Sequence, residues 1–159
     1  MQKYLDQKNK IGRLSVRLAN QNDFRFTLDL YNKNVIKKKF FSKKVVSLNN
    51  HKLWFKNKLK EKMLFICSSK SRVGYIRYDR LNKNSLSVSI AIQEKYKRNG
   101  FGKIMLKKTL TKKQIIKNNI YAIVKNNNVP SKKFFLSNDF KLTNKNVYII
   151  KAKKNERIY

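Results

Sequence analysis

The residues best placed to do chemistry lie in one short turn. Lys97-Arg98-Asn99-Gly100-Phe101-Gly102 holds two of the chain's four glycines among basic residues. Glycine takes positive φ without steric cost and lets other atoms approach the backbone closely. A glycine turn feeding a helix aims several unpaired N–H groups at one point, where the helix dipole also favours negative charge. Such a turn can cradle a pyrophosphate. It is not a Walker loop, because no Gly-Lys-Ser/Thr follows, and a dinucleotide fingerprint would need a third glycine and a trailing carboxylate. Elsewhere, His51 is the only histidine, with an unperturbed pKa suited to neutral pH. Cys67, the only cysteine, ends the apolar run Met63-Leu64-Phe65-Ile66-Cys67 and reads as a core residue. No Cys/His/carboxylate cluster has metal-ligand spacing, so no metal is expected. No nucleophile–base pair is visible either, which disfavours a covalent intermediate.

Periodicity supplies the elements that hold the turn. Before it, serine alternates with Leu86, Val88, Ile90 and Ile92, a strand with one buried face. After it, Ile104, Leu106 and Leu110 recur at helical spacing, predicting a helix over 102–117. Nearer the N-terminus, residues 14–18 alternate as a first strand. Asn20 and Asp23 offer caps for a helix carrying Phe24, Leu28 and Tyr31, with a second short helical piece over 35–39. Ser47 can cap a helix over 48–60 whose inner face is Leu48, Phe55 and Leu59, with His51 and Trp54 beside it. Strands over 63–67, 73–78 and 86–92 are separated by turn residues at 68–71 and 81–84, so an antiparallel meander follows. A strand over 120–124, a helix opened by Asn128-Val129-Pro130-Ser131, and strands over 140–142 and 147–152 complete the chain.

With 159 residues and 41% hydrophobic content, the chain reads as a single domain (1–159) with its core over 12–152 and a charged tail over 153–159. No apolar run approaches the ~20 residues of a membrane span. A polar N-terminus without a signal-peptide segment and a single cysteine lead us to expect a cytoplasmic protein. Forty basic against eight acidic residues give a net charge of +32. One reading is compositional: lysine, asparagine and isoleucine share A/T-rich codons, and the lysines are spread along the whole chain. The other is nucleic-acid binding, which this sequence supports only as nonspecific electrostatic attraction, because its aromatics follow core periodicity and form no stacking motif. Monomer and homodimer are equally compatible with the sequence.

The strand, basic turn, G-x-G and helix together resemble the coenzyme A signature of the GNAT superfamily of N-acetyltransferases, Arg/Gln-x-x-Gly-x-Gly/Ala. Gly100 and Gly102 match it; Lys97 replaces Arg or Gln, keeping charge but losing the fork geometry. The order β-α-α-β-β-β-α-β-α-β-β matches the family over nearly the whole chain. The resemblance implies an α+β (α/β/α) fold with a mixed sheet of about seven strands, splayed between the fourth and fifth, and about four helices. It implies acetyl-CoA as co-substrate in that V, contacted by Ile90, Ala91, Ile92, Lys97, Arg98, Asn99, Gly100, Phe101, Gly102 and Lys103. A backbone N–H near Ile90, Ala91 and Ile92 would hold the developing oxyanion. A second match, Asn128-x-x-Ser131 followed by Phe134-Phe135 and Asp139-Phe140, implies that Asn128 and Ser131 meet the pantetheine arm. Two departures stand out. Asp139 replaces a helix-ending glycine, and Phe135 stands where many relatives carry a tyrosine general acid, so it has no proton to give.

Residues 32–55 resemble one GNAT subgroup that acetylates the 4-amino group of nucleotide-linked amino sugars in pseudaminic and related nonulosonic acid pathways. The positions that carry this likeness are Asn32, Lys37 (an Arg in the pattern), Phe41, His51 and Trp54, with Asn50 in place of a Glu. The resemblance implies direct transfer from acetyl-CoA to a small primary amine, the nucleotide sugar being bound by His51 and by stacked aromatics. Helix packing explains His51 and Trp54 equally well. Relatives often carry a carboxylate on the fourth strand; here Ser87 and Ser89 stand there, and Glu94 and Asp79 are the nearest acids. Two other functions remain open: acetylation of protein or peptide amines of the ribosomal-protein type, and a non-enzymatic nucleic-acid-associated role on a degenerate scaffold.

Overall fold

The computed structural model describes residues 14–37 and 44–152. Phe41, the end of the helical piece expected over 35–39, and the 153–159 tail lie outside these. Strand β2 (Leu64–Ser68) is buried at its first four positions, as a strand covered on both faces must be. Phe65 and Cys67 enter one hydrophobic cluster; Leu64 and Ile66 enter the other. The same two-sided division runs through β3 (Arg72–Asn82) and β4 (Ser85–Ile92). Helices α1 (Phe24–Ile36) and α2 (Leu48–Glu61) supply Leu30 and Phe55 to one layer. Helices α3 (Phe101–Leu110) and α4 (Val129–Leu136) supply Met105, Leu106 and Phe135 to the other. Around β1 (Ser15–Leu18), β5 (Asn119–Ile123), β6 (Lys141–Asn144) and β7 (Val147–Ile150) this makes a three-layer α/β/α fold.

One seven-stranded sheet runs in the order β1-β2-β3-β4-β5-β7-β6. Strands β1 to β4 form the expected antiparallel meander. The join between β4 and β5 is parallel and brief: Ser85, Leu86 and Ser87 pair with Asn119, Ile120 and Tyr121, and pairing then stops. From Val88 onward the two strands diverge, so one edge of β4 opens into a V. Close approach of β3 to β4 requires Gly74, where a Cβ would strike the Ala91 carbonyl oxygen.

Asp23 ties the front of the sheet together. Its side chain has 0% exposure, takes a bidentate pair from Arg17 at 2.7 and 2.9 Å, and accepts from Arg72 Nε at 2.8 Å. Burial alone would raise its pKa, but the bonds from Arg17, the Asn20 N–H and Arg72 outweigh that and hold it below the ordinary value. A second buried charge, Lys58, bridges α2 to β3 through Asp79 at 2.8 Å and also meets Glu61 of its own helix at 2.7 Å.

Three sequence expectations need correction. No separate helix starts at residue 35: α1 runs unbroken to Ile36, burying Thr27, Leu28, Leu30, Asn34 and Val35 at one spacing. Its asparagines do not stop it because their side chains are used elsewhere; Asn34 Nδ2 donates to the Leu30 carbonyl at 2.7 Å. On α2 the buried stripe is His51, Phe55 and Lys58, whereas Leu48, in the first turn beside its Ser47 cap, is 47% exposed. Helix α3 ends at Leu110 instead of continuing to 117. Beyond it, tight turns bond Lys112 N to Thr109 O and Ile115 N to Lys112 O, which swings Ile115 to 0% exposure in the core.

Candidate functional site

At the end of β4 the chain is pinned before it turns. Gln93 N donates to Val73 O at 2.9 Å, and Gln93 Nε2 donates to Arg72 O at 2.6 Å. A 3-10 turn (Glu94–Tyr96) follows. The Lys97 N–H then donates back to Glu94 O at 3.1 Å. Two residues reverse the backbone: Arg98 at φ 62° and Gly100 at φ 76°. Gly100 uses the freedom that only glycine has at no cost; Arg98 takes the same left-handed geometry under strain. Left-handed residues in such a turn can aim neighbouring N–H groups at one concavity.

Gly100 is also the N-cap of α3, and it has no side chain to satisfy the first helical amides. Phe101, 7% exposed and edge-on to Tyr96 at 5.9 Å, anchors that first turn in the core. Gly102 lies against the V. A methyl group there would come within 3.1 Å of Phe134 Cε2 and 3.3 Å of Ile92 Cδ1. Lys103 is exposed on the same turn, and Asn99 folds back to Lys97 O at 3.0 Å. On β4, Ala91 is buried toward the α1/α2 layer, and Ile90 and Ile92 pack toward α3. The turn, the α3 N-terminus and the unpaired edge of β4 therefore meet at one place.

Beside it lies a cleft of about 570 Å3 between α1 and the end of β4, lined by Phe26, Asp29, Lys33, Lys37, Ile92, Gln93 and Glu94, among others. Lys95 and Lys97 also border it. Glu94 is held between Lys37 Nζ at 3.1 Å and Lys97 Nζ at 2.8 Å. Bonds from Lys97 and then Lys37 pull its pKa down to about 2. Held between two lysines, this carboxylate is a weaker base than a free one. Asp79, the other acid considered, is bound to Lys58 and lies 3.4 Å from Arg77 Nε.

The remaining expected residues divide. Lys37 lines the cleft. Asn32 serves the fold instead: Nδ2 donates to Val46 O at 3.0 Å and Oδ1 accepts from Val46 N at 2.8 Å, clamping the segment before α2 to α1. His51 is 3% exposed, with Nε2 3.1 Å from Thr27 Oγ1 and its ring 5.0 Å from both Phe24 and Trp54. Burial lowers its pKa, and it joins α1 to α2 as a neutral ring. Trp54 stacks there too, under the Arg77 guanidinium at 5.4 Å. Asn128 caps α4, its Oδ1 accepting from Ser131 N at 3.3 Å. Phe135 is 7% exposed and packs on Phe140 and Tyr148, turned into the core. Cys67 is buried, its thiol pushed up to about 12 by burial, and inert.

Sequence reasoning missed three residues here. Phe134, not Phe135, is the ring beside Gly102 and Ile92; the helical period of α4 decides this, and neighbouring phenylalanines hide it. Asp29 and Lys33 line the cleft from α1, and their spacing from Lys37 was the available signal.

The family model for the acetyltransferase (GNAT) family matches residues 11–140. No curated protein sequence matches the chain significantly. Among solved structures, YncA from Salmonella typhimurium, solved with its cofactor acetyl-CoA, superposes with a TM-score of 0.81 at 13% identity, covering 91% of this chain and 96% of that one. A ribosomal-protein-alanine N-acetyltransferase from Brucella melitensis gives 0.73 at 17% identity, over 85% and 95%. The spermidine N-acetyltransferase of Vibrio cholerae, in complex with CoA and spermine, gives 0.72 at 17% identity, over 90% and 98%. At these identities the likeness is one of fold.

Proposed function

The chain belongs to the acetyltransferase (GNAT) family, an acetyl-CoA-dependent N-acetyltransferase by that membership, and on this premise we propose that its acceptor is the 4-amino group of a nucleotide-linked amino sugar. The observation that carries the coenzyme half of this reading is the turn over 97–102. It leads into an uncapped helix N-terminus at the open edge of β4. Backbone N–H groups of residues 98–103 would take the pyrophosphate, with Lys97 adding charge. The fit rests on space as well as charge: Gly100 is left-handed, and a side chain at Gly102 would press on the rings and methyls lining the V.

Acetyl-CoA supplies an activated acyl group, so the protein's work is positioning and charge stabilisation. The unpaired β4 edge over 88–92 offers N–H donors to the thioester oxygen. The amine must be neutral to attack. Glu94, Asp79 and His51 are each engaged elsewhere, so water carries that proton away. Phe135 has none to return, and water also protonates the leaving thiolate.

The cleft's charge favours the sugar nucleotide over other amines. Lys33, Lys37, Lys95 and Lys97 face Asp29 and Glu94, and Glu94 is neutralised by two of the lysines. An acceptor carrying phosphate fits that surplus; a polyamine adds cations to it. The test is thiol release from acetyl-CoA with UDP-4-amino-4,6-dideoxy sugars, spermidine and basic peptides side by side. Turnover of the sugar nucleotides above the others supports the proposal. Turnover of peptides or spermidine with silence on every sugar overturns it.

A further inference from the structure

One face of α1 carries an ordered set of charges that the acetyl transfer itself does not require. Phe26, Asp29, Leu30, Lys33, Asn34 and Lys37 line the cleft, and their spacing of three and four residues makes them one stripe. Within it, Asp29, Lys33 and Lys37 follow one another every fourth residue, all three exposed. At the rise of an α-helix, Lys33 stands about 6 Å and Lys37 about 12 Å along the axis from Asp29.

Asp29 begins the charged part of the stripe, next to the core residue Leu30. Lys37 lies at the other end, where its Nζ reaches Glu94 at 3.1 Å. The acid and Lys37 thus stand at opposite ends of the α1 wall, with Lys37 beside the basic turn. Arg25 approaches Asp29 only to 3.8 Å, with side-chain exposures of 71% and 54%, and such a pair holds the carboxylate weakly.

We infer that this stripe reads a zwitterionic acceptor lengthwise, Asp29 holding the ammonium end until its proton passes to water and Lys33 with Lys37 holding a phosphate of the same molecule. The inference rests on the reading of the cleft as the acceptor site. It assigns two residues, Asp29 and Lys33, that the family resemblance does not mark. The order also works as a filter. A polyamine laid along the stripe sets its second cation against Lys33, and a simple monoamine engages Asp29 alone. An acceptor with its amine about one sugar ring from a phosphate satisfies both ends. Lys37 can turn from Glu94 to that phosphate because Glu94 keeps Lys97.

Uridine 5′-diphosphate, titrated calorimetrically into the CoA-saturated protein, probes the phosphate end without turnover. The double substitution Lys33→Gln with Lys37→Gln is expected to weaken it by about tenfold, and Asp29→Asn to leave it unchanged or tighter. Equal affinity in wild type and the double variant overturns the phosphate end. For the amine end, Asp29→Asn should raise the KM of the best amine substrate roughly fivefold or more with little change in kcat. An unchanged KM overturns that assignment. The two readings fail separately. If no nucleotide sugar is acetylated but UDP binding follows Lys33 and Lys37, the sugar proposal falls and the stripe stands; if the sugar is acetylated and the variants keep its KM, the stripe falls.

Discussion

Replacing Gly100 by alanine isolates the strain that the glycine turn avoids. A Cβ at this position meets nothing within 4 Å, so the substitution brings no clash. Its cost is the left-handed backbone at φ 76° alone, about 1–2 kcal/mol for a residue with a side chain. For a chain of this length that lowers the melting temperature by roughly 2–8 °C. Asparagine visits the left-handed region more readily, so Gly100→Asn should lose about half as much. The control is Gly102→Ala, where the conformation is helical but the methyl lies 3.1 Å from Phe134 Cε2, so the loss comes from packing in the V. Thermal melts of the three variants give the order, and CoA binding by calorimetry gives the consequence. Where alanine pulls residue 100 out of its left-handed geometry, the amides no longer converge and CoA affinity falls while pantetheine affinity is kept. If Gly100→Ala melts with the wild type, or Gly100→Asn melts below Gly100→Ala, the turn is not held as described.

Three further predictions concern charges and the buried histidine. Asp23→Asn should cost about 3 kcal/mol at pH 7, because it leaves Arg17 and Arg72 facing a buried neutral group. Since the folded pKa of Asp23 is depressed, its stabilisation is complete above the ordinary aspartate value. It fades as pH falls through the lower folded value, so urea melts of wild type and variant should converge in acid. His51→Ala should lower stability by about 2–4 kcal/mol through the cavity left among Phe24, Trp54 and Phe55, while kcat of the folded protein stays within about threefold. A far larger loss of kcat would return His51 to the active site. Its depressed pKa places a pH effect on stability as well: the neutral ring's contribution is lost as pH drops below the ordinary histidine value. Glu94→Gln should keep kcat within about threefold, where removal of a general base costs roughly 10²–10⁴-fold. It should also tighten CoA binding, because Lys97 is released from its carboxylate partner.

The fold was legible wherever one signal decided an element. Serine alternating with Leu86, Val88 and Ile90 marked a strand, though the fold covers both of its faces, and the capping residues Ser47 and Asn128 fixed the starts of α2 and α4. Local patterning failed where tertiary demands overrode it. Ile115 continues the helical spacing of α3, yet the core draws it inward through a turn. Leu48 reads as apolar and inner, but the buried stripe of α2 is completed by Lys58, whose charge is matched across the sheet by Asp79. The glycine turn was visible because few conformations suit two glycines between a strand and a helix. The acceptor side was harder to read. Asn32 and His51 have the chemistry of ligands, but their hydrogen bonds close within the fold, and no sequence pattern tells a Val46 or Thr27 partner from a substrate. The family likeness marked these positions, and the geometry gives them structural work.

The central claim is that amides of residues 98–103 hold the linked phosphates of the co-substrate. Backbone amide shifts of labelled protein, followed during titration with CoA and separately with pantetheine, test it most directly. CoA should displace the resonances of residues 98–103, and pantetheine, lacking the pyrophosphate, should leave them in place while shifting residues 88–92. CoA binding with residues 98–103 unmoved, or equal shifts with both ligands, would contradict it.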